Sequence, residues 1–84
     1  MNKHEKLRLT LLSGASDANI DFDDLCRMLQ HFGFEMRVRG SHHVFARAGV
    51  FEQVVLPRHG KGVKRTYVRD VRRLLQRYRI GEQP

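Results

Sequence analysis

The run Met36-Arg37-Val38-Arg39-Gly40-Ser41-His42-His43-Val44-Phe45-Ala46-Arg47 decides the fold, because residue character alternates along it and a Gly-Ser pair interrupts it. A period of two belongs to a strand, whose successive side chains point to opposite faces. Met36 and Val38 then face one way, and Arg37 and Arg39 the other. Gly40-Ser41 has room only for a tight turn, so the run predicts an antiparallel hairpin. Ala48-Gly49 supplies a second tight connection. Val50 to Leu56, rich in β-branched and aromatic residues, predicts a third strand ended by Pro57. Strands joined by short links form an antiparallel meander.

Helical periods lie on both sides of this sheet. Upstream, Phe22, Leu25, Leu29 and Phe32 recur at spacings of three, four and three, which puts them on one helical face. Asp21 stands at the N-cap, Asp23 and Asp24 fill the first turn, and Gly33 closes the last. Downstream, the basic loop Arg58-His59-Gly60-Lys61-Gly62 leads to Thr66, read as the N-cap of a closing helix that runs through Arg79. At about 100° per residue, Tyr67, Val71, Leu74, Leu75 and Tyr78 form one stripe. Arg65, Arg69, Arg72, Arg73, Arg77 and Arg79 fall on the remaining arc. The fold class is therefore α+β in the order α-β-β-β-α, with both helices on one face of a three-stranded antiparallel sheet and the other face open. Before it, Ser13 to Asn19 reads as a connector. Lys3 to Leu12 is read as a helix, although the alternation of Leu7, Leu9 and Leu11 also suits a strand. Residues 1–20 are thus an extension with its connector, 21–80 the main domain and 81–84 a tail.

Composition narrows the function classes. A chain of 84 residues and 9.9 kDa makes one small domain, and 40% hydrophobic with 30% charged residues is a globular balance rather than a disordered one. No apolar run is longer than Val54-Val55-Leu56, so no membrane span is expected. Met1-Asn2-Lys3-His4-Glu5-Lys6 lacks the apolar stretch of a secretory signal, and the cytosol is the expected compartment. The single Cys26 has no partner for an intramolecular disulfide and no Cys/His spacing that would hold zinc, so neither a metal nor a cofactor is expected. Lys61 and Lys64 flank Gly62 without the order of a nucleotide-hydrolysing phosphate loop. Charge is divided unevenly: residues 1–36 hold four Lys/Arg against six Asp/Glu, and residues 37–84 hold twelve against three. A basic half of that density fits a polyphosphate, though an anionic membrane surface or an acidic protein satisfies the same arithmetic.

Within the basic half, His42 and His43 are adjacent on a strand and so point to opposite faces. One can pack toward the helices while the other stands on the open face. A histidine can take and return a proton near neutrality, which is what cleavage of RNA by its own 2′-hydroxyl requires. Nearby arginines would hold the phosphate. The same pair can also simply fill the surface of a sheet in a basic domain.

The order of the pieces separates these readings. Gly33-Phe34, then Arg39-Gly40-Ser41-His42-His43-Val44-Phe45, then Leu56-Pro57-Arg58-His59-Gly60-Lys61 and a threonine at the start of a helix resemble the HicA toxins of bacterial type II toxin-antitoxin systems, over about residues 22–80. The resemblance implies a fold like that of double-stranded-RNA-binding domains. It also implies endoribonuclease action on messenger RNA, and neutralisation by a HicB-type antitoxin. It makes His43 the catalytic residue, since His43 takes the last position of the family's Gly-Ser-x-His pattern. His42 occupies the variable position and is assigned, with Arg39, Ser41, Arg58, His59, Lys61 and Lys64, to RNA binding. Two other readings use the same residues: a non-catalytic RNA-binding module, and a basic protein whose arginine helix docks an acidic partner.

Overall fold

A computed structural model describes residues 1–83; Pro84, read above as part of the tail, lies outside the described residues. Its elements are α1 (Lys3–Ser13), a short 3₁₀ turn (Asp17–Asn19), α2 (Phe22–His31), β1 (Glu35–Arg39), β2 (His42–Ala46), β3 (Val54–Pro57) and α3 (Arg65–Arg77). The sheet has the order β1-β2-β3, with both pairs antiparallel. This is the α-β-β-β-α order read from the sequence, preceded by a helical extension.

Each element begins where local chemistry starts it. Asn2 accepts from the Glu5 amide at the head of α1, and Asp21 accepts from the Asp24 amide at the head of α2, both at 2.9 Å. These side chains satisfy amides that the first helical turn leaves unpaired. The hairpin pairs Arg39 with His42 and leaves Gly40-Ser41 as a two-residue loop. Gly40 has φ 59°, a left-handed conformation that a residue without a Cβ adopts at little cost.

The core lies between the helices and one sheet face. Leu11, Phe22, Leu25, Met28, Leu29, Phe45, Leu56, Val68 and Val71 are fully buried there, and Phe34, Leu74, Leu75 and Ile80 nearly so. Phe45 is opposite both Met36 and Val54, so these side chains face the helices. Val44 is opposite Arg37 and Val55, and these point to the open face. The arginine-free stripe of α3 predicted from its period is the stripe that is buried.

The boundaries of β3 and α3 differ from the sequence reading. The third strand starts at Val54 rather than Val50. The Tyr78 hydroxyl accepts from the Phe51 amide and donates to Glu52, which draws residues 51 and 52 toward α3 and out of the sheet. Phe51 is left 93% exposed. Helix α3 begins at Arg65 with Lys64 at the N-cap and no side-chain cap, so Thr66 lies inside the first turn. It ends before Arg79, whose φ of 53° is left-handed.

The extension is tied to the rest of the chain by buried polar contacts. Arg8, on α1, donates to the Ile80 carbonyl at 2.8 Å and pairs with Glu5. Arg72, on α3, donates to the Leu11 carbonyl at 3.0 Å and grips both Asp17 oxygens at 2.8 Å. The Arg72 hydrogen bonds hold the Asp17 carboxyl below its ordinary 3.8, against a smaller opposing effect of desolvation. A carboxylate with a depressed folded pKa stabilises the fold above its unfolded pKa, and that contribution drains away as pH falls through the folded value. Asp17→Asn is therefore expected to lower the unfolding midpoint at pH 7, with the gap to the parent closing as pH falls from the ordinary 3.8 through the lowered folded value. Thermal scans of the two proteins across that range check it.

Candidate nucleic-acid interface and active site

His43 is opposite Val38 and Leu56 and two residues before Phe45, so it points to the helix side of the sheet, and His42 takes the open face. The ring of His43 meets that of Phe22 edge-to-face, with centroids 4.9 Å apart and planes at 80°. Its Nδ1 is sealed from solvent and has no hydrogen-bond partner among the described residues, while the residue as a whole is half-buried. Nε2 is thus the nitrogen that can meet a substrate. Among the described residues no carboxylate orients the ring; the contact with Phe22 does so instead.

Around His43 lies a shallow groove of about 150 Å³ between α2 and β1. Phe22, Asp23, Cys26, Arg27, Gln30 and Met36 line it. Residues 35–39 of β1 are all exposed, with Val38 at 57%, so this side of the groove is open to a large ligand. Cys26 is no nucleophile here: it is buried, and burial pushes its thiol up to about 11.

The basic loop reaches the same place. The Phe22 amide donates to the Lys61 carbonyl at 2.8 Å, and Asp21 forms a bridge with Gly62. Within the loop, His59 and Gly62 exchange backbone hydrogen bonds at 3.2 and 2.9 Å, which fixes its turn. Arg58 lies over the Phe22 ring, 4.4 Å from its centroid, and donates to Asp23 at 2.9 Å. Phe22 therefore touches both the catalytic candidate and a loop cation. An imidazole and a guanidinium held by one aromatic ring can together address a phosphodiester, one moving a proton and the other balancing charge.

The sequence-predicted residues divide accordingly. His43, Arg58 and the backbone of Lys61 converge at Phe22. His59 and Lys64 are exposed in or just after the same loop, and Ser41 is exposed in the hairpin turn. Arg39 and His42 are paired across the hairpin on the open face, so the structure does not bring them to the His43 groove. Sequence reasoning missed Phe22 and Asp23, reading one as core and the other as a helix-terminus charge. Only the pairing of Asp23 with a loop 35 residues away shows its second role. Away from this groove, the rings of His4 and His31 stack 4.5 Å apart across α1 and α2. Among the described residues, no group of three or more His, Cys, Asp or Glu side chains is gathered to hold a metal.

A larger depression, about 560 Å³ between β3 and α3, is elsewhere. Val54, Leu56, Tyr67 and Leu74 line it with the Arg77–Glu52 and Arg73–Asp70 pairs, and it contains no histidine. No helix of the described residues is long and apolar enough to cross a membrane.

No curated protein matches the chain, and no solved structure does. A family model described as the HicA toxin of bacterial toxin-antitoxin matches residues 22–77. That span runs from the first residue of α2 to the last of α3, so it takes in the sheet, the loop and the groove and leaves out α1. The chain belongs to the HicA family of toxins, and so to a toxin-antitoxin pair in which its partner is an antitoxin.

Proposed function

We propose that this toxin is an endoribonuclease that cleaves messenger RNA in the cytosol by proton transfer at His43, and that a HicB-type antitoxin neutralises it. The observation that carries this reading is the His43–Phe22–Arg58 arrangement, which lies within the span shared with the family. In the step proposed, the RNA 2′-oxygen forms a bond to the adjacent phosphorus and the bond from phosphorus to the 5′-oxygen breaks. The 2′-hydroxyl loses one proton and the departing 5′-oxygen gains one. Nε2 of His43 performs one of these transfers and water the other. Arg58 lies beside the phosphate and offsets its growing negative charge. Phe22 holds both groups, and Asp23 holds Arg58.

Lys61 and Lys64 give the loop its charge for the RNA backbone, with His59 as a further RNA contact, while Ser41 meets RNA at the hairpin turn. Arg39 and His42 contact RNA only where it wraps to the open sheet face. Incubating RNA with the purified protein and with its His43→Ala form, in excess chelator, tests the assignment. Cleavage by the parent alone supports it, and equal cleavage by both removes His43 from the chemistry.

A further inference from the structure

Helix α3 carries five arginines, and ion pairing divides them. Arg72 is held by Asp17, Arg73 by Asp70 and Arg77 by Glu52. Arg65 and Arg69 are exposed and have no ion pair or side-chain hydrogen bond among the described residues, and the same holds for Lys61 and Lys64 just upstream. Arg65 and Arg69 are four residues apart and so adjacent on one face, with Arg72 next on the same stripe. They form one wall of a recess of about 240 Å³ whose other wall is the loop of residues 14–19. Both arginines also pull the Asp17 carboxyl down through space, behind the larger effect of Arg72. The one carboxylate in the recess is already neutralised by Arg72, so the recess is left with a surplus of two positive charges.

We propose that Arg65 and Arg69, with the loop of residues 14–19, form a second phosphate site that takes RNA backbone away from the scissile bond. The bound strand then runs from the His43 groove along Lys61 and Lys64 to this recess. The inference rests on the RNA-cleaving reading of the His43 groove and extends it to a part of the molecule outside that groove. The lining favours a nucleic acid over a protein. Besides the two arginines it consists of small and polar residues, with no aromatic or large aliphatic side chain to act as the buried anchor of a protein interface. Nucleic-acid interfaces are polar and cationic. Arg72 and Asp17 hold the loop against α3, so the recess is built before a ligand arrives.

The test uses the full chain with His43→Ala, which prevents cleavage during the titration, labelled for amide and arginine side-chain resonances. It is titrated with a trinucleotide and with a single strand of about 12 nucleotides, a length within the usual reach of a single-strand site. The longer RNA is expected to shift the amides of Ser16 to Asn19 and the side chains of Arg65 and Arg69, and the trinucleotide only the groove around His43. Adding Arg65→Gln and Arg69→Gln is expected to lower the log–log salt slope for the longer strand by about 1.4, at roughly 0.7 per lost phosphate contact. The trinucleotide titration should not move. Both arginines are exposed and unpaired, so the variant keeps its fold, and its spectrum shows this directly. Shifts in the His43 groove with none in the recess, or an unchanged slope, overturn the second site and leave the first reading standing. No shift anywhere overturns both. Shifts in the recess caused by the antitoxin and not by RNA also overturn it, in favour of a protein-docking surface.

Discussion

Replacing His43 by alanine is expected to slow RNA cleavage by roughly 10²- to 10⁴-fold, the usual size of a single general acid–base contribution. At about 1.36 kcal/mol per tenfold, that is about 2.7 to 5.4 kcal/mol of transition-state stabilisation. The loss should fall on kcat and leave KM nearly unchanged, because the ring acts on the proton in flight while the loop cations hold the phosphate in both states. RNA affinity and the unfolding midpoint should change little. His43 is half-buried rather than core, and its Nδ1 makes no hydrogen bond that the substitution would break. His43→Gln provides a second variant of similar size that cannot cycle a proton, and it should be as slow as the alanine form. A loss confined to KM would instead make His43 a binding residue.

Phe22→Ala should have the largest effect on stability. The ring is fully buried and carries the contacts to His43 and Arg58. Emptying such a site costs about 3–5 kcal/mol, part of it lost transfer energy and part the cavity left behind. A domain of this length has roughly 4–13 kcal/mol in total, so the variant should unfold on the order of 20 °C lower or fail to fold at the assay temperature. Phe22→Leu separates the two roles. It keeps most of the buried volume and so most of the stability, but it removes the flat surface on which the guanidinium stacks and against which the imidazole rests. Its cleavage rate should fall well beyond its loss of midpoint. A rate that merely tracks the folded fraction would show that Phe22 is core and nothing more.

The parts of this molecule that were legible in its sequence are those written in local periods. The α3 stripe, the α2 face, the Gly40-Ser41 turn and the three aspartates at the head of α2 depend on neighbours within a few residues, and the structure has each of them. Features set by distant partners were misread. Val50 and Phe51 have strand-forming side chains, yet the Tyr78 hydroxyl, 27 residues from the Phe51 amide, takes that amide away from the sheet. Thr66 has the chemistry of an N-cap, but the helix takes its N-cap two residues earlier, at Lys64. The two histidines were known to face opposite ways, while which of them meets the helices depends on register. The pairing of Phe45 with Met36 and Val54 fixes that, and with it the half-buried setting of His43. The loop cation beside Phe22, Arg58, was visible as charge. That it lies on Phe22 and against Asp23 required the loop to fold back over the start of α2.

The most direct test of the central claim is the chemical identity of the RNA ends left by the purified protein in excess chelator. Attack by the 2′-oxygen with proton transfer at His43 predicts cyclic 2′,3′-phosphate on the upstream fragment and a free 5′-hydroxyl on the downstream one, with neither formed by His43→Ala. Fragments bearing 5′-phosphates, or cleavage that needs an added divalent ion, would contradict the mechanism. RNA left intact by a protein that still binds it would make the chain a non-catalytic RNA-binding member of its family.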